Sequence, residues 1–270
     1  MSKYKNRSGL PVHFDGFMNA RQPQDVFTFF DDFMGPSYSV DADTVSLTTT
    51  TAALPWTYTA VGGGLTEASC SLVDATYNKL STLGGIFRTT TLASPDDGGN
   101  FQVTGQSFVI DADCGLPLYF EARFRTADVS NTDYFVGLSK VDTEIISTGV
   151  DDGIGFLLES GVLYCSTAES SAEKNVSSAV TTVDGAAASD LGWVRGAFYF
   201  DGADTVSFFI DGNDDGEFDF ITSLSVSTTL DYLPDDQSLT PTFEVICGAT
   251  YSAETFDLDY VYCAQQRYHA

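Results

Sequence analysis

The segment Leu118-Tyr119-Phe120-Glu121-Ala122-Arg123-Phe124-Arg125 decides the fold class. Leu118, Phe120, Ala122 and Phe124 alternate with Glu121, Arg123 and Arg125. A two-residue period sets the apolar group on one face of a β-strand and the charged group on the other. The expectation is a half-buried strand with its charges in solvent. The same kind of signal runs outward on both sides. Val45–Thr51 and Trp56–Val61 are Thr-rich and β-prone, and Gly84–Thr89 reads as a strand entered through glycines. Asp96-Asp97-Gly98-Gly99-Asn100 is a turn. Gly153–Leu158 and Val162–Ser166 flank Glu159-Ser160-Gly161, and Trp193–Phe200 and Thr205–Ile210 flank Asp201-Gly202-Ala203-Asp204, which predicts two hairpins. Tyr134–Leu138, Thr242–Cys247 and Thr255–Tyr262 add further strands. Only Gln24–Phe33 and Ala168–Val176 offer a helical alternative, and neither has a clear three-four period. Short strands recur without a linker or repeat. They predict one all-β domain over residues 28–270, a jelly-roll β-sandwich of antiparallel strands, preceded by an extended basic arm over residues 1–27.

Composition agrees. The 270 residues hold 12 Lys+Arg against 38 Asp+Glu, for a formal net charge of −26. Of the acids 29 are Asp, which with Ser and Thr competes with the helical backbone for hydrogen bonds. A hydrophobic fraction of 43% and an aromatic fraction of 13% exclude a disordered acidic tail. The charge repels phosphate backbones and anionic bilayers, so neither nucleic acid nor membrane is an expected partner. Residues 1–21 run against this trend. Lys3, Lys5, Arg7 and Arg21 face only Asp15, for +3, which leaves 8 basic and 37 acidic side chains, or −29, on the rest. Two readings of the arm stand side by side. It is a solvated terminus, or it docks through Phe14 and Phe17 while its four basic residues meet acidic groups on a partner or a neighbouring copy.

The five cysteines, at 70, 114, 165, 247 and 263, include no CxxC pair. An odd set without that spacing points to free buried thiols and a reducing compartment. Met1-Ser2-Lys3-Tyr4-Lys5 is basic, and no apolar run of the kind a secretory signal needs follows it.

The sharpest local motif is Asp211-Gly212-Asn213-Asp214-Asp215-Gly216-Glu217-Phe218-Asp219. Asp211, Asn213, Asp215, Glu217 and Asp219 could present alternating oxygens to a calcium ion. Position twelve is Thr222 rather than a bidentate Glu, and the flanks read as strands. The competing reading is an acidic hairpin turn. Any calcium affinity should be weak, on the order of 10⁻⁴–10⁻³ M, and no cofactor is required. The two histidines, His13 and His269, leave no Ser-His-Asp or Cys-His arrangement in the body. Asp257-Leu258-Asp259 is the nearest approach to a glycosidase carboxylate pair. Its expected place is the solvent face of a strand whose Phe256, Leu258 and Tyr260 point inward. Trp56 and Trp193 could stack on sugars, but packing within the domain is the expectation for both.

Several segments, in order, resemble one family. They are Phe30-Asp31-Asp32-Phe33-Met34-Gly35, Gly84-Gly85-Ile86-Phe87-Arg88, Leu118–Phe124 running into Asp128-Val129-Ser130, and Tyr134-Phe135-Val136-Gly137-Leu138. Gly192-Trp193-Val194-Arg195, Val206–Gly212 and Leu258-Asp259-Tyr260-Val261 complete the series. The series is similar to the concanavalin-like, laminin-G-like sandwich of tailed-bacteriophage capsid decoration (cement) proteins. That resemblance implies a non-enzymatic virion protein that binds the outer capsid surface, with the major capsid protein and its own copies as partners, after assembly in the bacterial cytoplasm. The alternative on the same fold is a glycan-binding module of a phage fibre or receptor-binding protein.

Overall fold

The computed structural model describes residues 26–33, 55–65, 69–73, 85–103, 105, 108–111, 115–177, 192–212, 216–225, 232–234, 237–248 and 252–267. Sixteen strands follow one another, with no α-helix among the described residues. The first six are β1 (Val26–Asp31), β2 (Trp56–Val61), β3 (Cys70–Val73), β4 (Ile86–Thr90), β5 (Gly98–Val103) and β6 (Phe108–Val109). Next come β7 (Leu118–Thr126), β8 (Thr132–Ser139), β9 (Gly153–Glu159), β10 (Val162–Glu169) and β11 (Ala172–Ser177). The last are β12 (Val194–Phe200), β13 (Thr205–Asp211), β14 (Asp219–Ser225), β15 (Ser238–Cys247) and β16 (Thr255–Gln266).

They form two antiparallel sheets. The first runs β14-β13-β12-β7-β16-β4-β3, with β1 pairing β16 beyond the end of β4. The second runs β11-β10-β9-β8-β15-β5-β2, with β6 pairing β15. Both segments with a helical alternative are strands, in β1 and in β10–β11. Residues 1–25 and Val45–Thr51 lie outside the described residues, so the arm's first 25 positions do too. Val26 and Phe27 belong to β1, which opens the sheet two residues before the expected boundary.

Turn chemistry accounts for the hairpins. β9 and β10 meet through Ser160 and Gly161, with φ of 50° and 80°. Two successive left-handed residues make the turn whose twist matches paired strands. β15 carries Pro241 in its interior, where proline costs a ladder hydrogen bond. On one side Pro241 faces Leu138 of β8; on the other it falls between the end of β6 pairing at Leu239 and the start of β5 pairing at Thr242. The missing N–H therefore sits where no second neighbour needs it.

The core between the sheets is aromatic. Phe101 stacks on Phe243 with centroids 4.6 Å apart, and Phe120 on Phe198 at 4.9 Å. Phe124 meets Tyr134 of the opposite sheet at 5.4 Å, and Phe156 meets Phe208 at 5.9 Å. Gly196 makes room for Phe156, since a Cβ there would lie 2.6 Å from its ring. Trp56 closes one end of this core, against Phe29, Phe33 and Phe243, and its indole N–H donates to Asp31 Oδ2 at 2.8 Å.

The outer face of the second sheet is covered by residues 140–152. Ile145 and Val150 pack there with Phe135 and Leu157. Beneath them Glu244, fully buried, accepts the backbone N–H groups of Ile145 and Ile146 at 2.8 and 2.9 Å. Burial pushes its carboxyl up to about 7, and Glu144 and Asp142 add to the rise, against the two N–H bonds.

Two outcomes follow from this packing. Cys70, Cys165, Cys247 and Cys263 are all buried and free, and burial raises the thiols of Cys70 and Cys165 to about 12. A thiol reagent at pH 8 should leave these four unmodified in the native protein and label them after denaturation; native labelling of any of the four by mass spectrometry contradicts the packing. Glu244 titrates higher folded than unfolded, so between about 4.5 and 7 the native state holds a proton that the unfolded chain has lost. Stability should therefore rise as pH falls from 7 to 4.5, by up to a few kcal/mol at about 1.4 kcal/mol per pKa unit. Glu244→Gln removes this contribution, and parallel denaturation curves of the two proteins across pH 5–8 would count against it.

Candidate functional site

The outer face of the first sheet is where charge collects. β7 sits near the centre of that sheet, and it is buried along its whole length on both faces. The half-buried expectation is therefore corrected. Glu121, Arg123 and Arg125 are only 5–7% exposed, because other side chains cover them and neutralise them. Asp257 takes Arg88 Nε on Oδ1 at 2.7 Å, and Arg125 Nε on Oδ2 at 2.7 Å. Asp259 Oδ2 accepts from Arg123 at 2.6 Å, and Asp211 Oδ2 from Arg195 at 2.6 Å. Trp193 lies against the guanidiniums of Arg123 and Arg125, at 4.3 and 4.4 Å from its ring.

Asp257 and Asp259 were expected in solvent, and Tyr260 in the core. A β-bulge explains the correction. Leu258 pairs with Phe124 and Tyr260 with the next residue, Arg123, so Asp259 is extra. The bulge inverts the alternation behind it. Phe256 and Leu258 point into the core before it, and Val261 and Cys263 do so after it. Tyr260 and Tyr262 are thereby carried to the outer face, and Asp257 and Asp259 are held by arginines. Trp193 is buried as expected, but on this outer face rather than between the sheets.

Glu121 sits beside these tyrosines. Its Oε2 accepts from the Tyr119 hydroxyl and its Oε1 from the Tyr260 hydroxyl, each at 2.5 Å, and Arg195 stands 4.0 Å from Oε1. Burial, reinforced by the Glu121 charge, holds both hydroxyls well above the usual tyrosine range, so they stay protonated as donors. Over Glu121 opens a pocket of about 350 Å³ lined by Phe30, Tyr260 and Tyr262. Phe30 is 58% exposed, and its ring lies 6.4 Å from Tyr260 and 6.3 Å from Tyr262.

The sequence motifs land as follows. Asp211 closes β13, its Oδ2 also accepting the Gly216 N–H at 3.0 Å, and Asp219 opens β14, so the acidic stretch joins paired strands. Glu217 and Asp219 are exposed, while Asn213 and Asp215 lie outside the described residues. Lys3, Lys5, Arg7, Phe14, Phe17 and Arg21 also lie outside them. Phe30, Glu121, Tyr260 and Tyr262 were not singled out as a site from sequence. No motif joins them; pairing of β1 and β7 to opposite edges of β16 does.

A scan of protein-family models and a search of curated proteins gave no match. Solved structures do match. A protein of unknown function from Shewanella oneidensis MR-1 is 16% identical with a TM-score of 0.54, over 92% of this chain and 91% of that one. Arcelin-5, a lectin-like defence protein of Phaseolus vulgaris, is 9% identical with a TM-score of 0.53, over 91% and 100%. A glycosyl hydrolase family 16 protein from Mycobacterium smegmatis is 12% identical with a TM-score of 0.50, over 87% and 98%. The chain therefore has the concanavalin-like β-sandwich fold seen in legume lectins.

The arginine ladder predicts a large penalty for breaking it. Asp257→Asn leaves two guanidiniums sharing no charge in a site where Asp257 is 1% exposed. Removing one partner of such a buried pair costs on the order of 3–5 kcal/mol, measured by urea denaturation. A loss below about 1 kcal/mol would mean that the ladder behaves as a surface ion pair.

Proposed function

We propose that this chain is a non-enzymatic structural protein that binds and stabilises the outer surface of a tailed-bacteriophage capsid. The observation that carries the non-enzymatic part is the ion-paired outer face. The paired carboxylates nearest in pattern to a glycosidase, Asp257 and Asp259, are held by Arg88, Arg125 and Arg123. A catalytic acid or nucleophile needs an oxygen free to reach substrate, and these two are committed to positioning strands. The capsid part rests on the ordered series of family-like segments. Their described residues fall in or beside β1, β4, β7, β8, β12, β13 and β16. Assembly in bacterial cytoplasm agrees with four buried, free thiols. No cofactor is required in this reading; calcium at the 211–219 hairpin would have to compete with Arg195 for Asp211.

A second reading, a glycan-binding module of a phage fibre or receptor-binding protein, is favoured by one observation: the open aromatic pocket with a carboxylate at its floor. Particles of the phage that carries this protein, imaged with and without it, test the first reading. Added back, the chain should restore density on the outer capsid and raise the temperature at which particles release DNA. Absence of the chain from the capsid, with saturable binding on a glycan array, would replace the first reading by the second.

A further inference from the structure

The pocket at Phe30 has a chemistry that selects its occupant. The single hydrogens of the Tyr119 and Tyr260 hydroxyls are both given to Glu121. What Glu121 and Tyr260 offer a ligand is therefore oxygen lone pairs, Phe30 adds ring surface, and Tyr262 adds a ring and a hydroxyl. A sugar hydroxyl both donates and accepts, and Glu121 and the Tyr260 oxygen meet only its donor half. An ammonium or guanidinium only donates, and it gains from aromatic faces as well. Local charge points the same way. Arg195 lies 2.6 Å from Asp211 and 4.0 Å from Glu121, so it offsets the Glu121 charge only in part.

We propose that the pocket of Phe30, Glu121, Tyr260 and Tyr262 receives a lysine or arginine side chain from the N-terminal arm of a second copy of this chain. This deepens the structural-protein reading, on which it rests, by naming how copies join. The arm carries Lys3, Lys5, Arg7 and Arg21 and a charge of +3 over residues 1–21, against −29 on the rest. Twenty-five extended residues reach up to about 80 Å, beyond the roughly 45 Å width of a domain of this size. Neighbouring copies of a −29 body repel one another, and a shared basic arm offsets that repulsion.

The test is a calorimetric titration of a peptide of residues 1–25 into the chain lacking residues 2–25, with sedimentation of the full chain alongside. The peptide should bind saturably, more weakly at high salt. The same peptide with Lys3, Lys5, Arg7 and Arg21 changed to Gln should not bind. Phe30→Ala, at an exposed ring, should weaken binding about tenfold or more, and in the full chain should shift oligomer toward monomer. Glu121→Gln should do the same where its near-UV spectrum shows it folded; Phe30→Ala decides the matter if it does not fold. Equal binding of the neutral peptide, no effect of Phe30→Ala, or a full chain that is monomeric at about 0.1 mM overturns the proposal. So does lactose or cellobiose binding that Phe30→Ala abolishes. A chain that oligomerises through the arm yet never attaches to particles sinks only the capsid reading. Full capsid occupancy by a Phe30→Ala chain that still oligomerises as the wild type does sinks only the pocket assignment.

Discussion

Asp257 is the charge on which the first sheet is organised. It lies on β16, the strand that pairs with β7 on one edge and with β4 and β1 on the other. Through Arg88 it ties β4 to β16, and through Arg125 it ties β7 to β16. Ion pairs this deep contribute little net stability, because desolvation cancels most of the Coulomb gain. Their consequence here is register. A one-residue slip of β7 against β16 would turn Arg123 and Arg125 toward Tyr134, Phe156 and Phe256 in the aromatic core, where no carboxylate waits. Packing of apolar side chains tolerates approximate placement far better than a guanidinium tolerates a missing partner.

How much of this was legible in the sequence depends on the range of the signal. Local devices read correctly except at residues 96–100, where Gly98, Gly99 and Asn100 of the expected turn already pair as the start of β5. Trp56–Val61 is β2 with the expected bounds, and the turns at Ser160-Gly161 and at residues 201–204 join strands as expected. Signals that depend on a neighbour misled. Alternation along Leu118–Arg125 identifies the inward face of β7 without revealing whether the other face is wet, and it is Trp193, seventy residues later, that covers it. The bulge at Asp259 is likewise invisible to a two-residue period, since Phe256 to Tyr260 alternates without a break. Its phase is set by pairing with Phe124 and Arg123. The Phe30 pocket was hidden for the same reason, its residues being supplied by three strands from opposite ends of the chain.

The two outer faces solve burial differently. On the second sheet buried Glu244 anchors a covering segment through two backbone N–H groups, Glu173 accepts a third from Val150 at 2.9 Å, and apolar Ile145 and Val150 seal it. On the first sheet the charges satisfy one another across strands, and a flat indole lies over two of them. Lys140 fixes the edge of the second sheet's cover through Asp151 and Asp152, the latter at 2.9 Å.

The first sheet is open at Phe30, and the reason lies in how β1 joins it. β1 enters on the β4 side of β16, so its outward Phe30 extends the aromatic row of Tyr260 and Tyr262 instead of capping it. The 58% exposed Phe30 ring stands there beside the buried Glu121 carboxylate. Ring and carboxylate together ask for a group that is apolar along its length and cationic at its tip. Lysine and arginine are built that way, with an aliphatic stem to lie along Phe30 and a charged head to reach Glu121. In a chain with 12 basic residues, four of them fall within the first 21 positions and four more, Arg88, Arg123, Arg125 and Arg195, are committed to the ladder. Of the other four, Lys79, Lys140, Lys174 and Arg267, Lys140 is held by Asp151 and Asp152, so half of the basic residues outside the ladder fall in the arm.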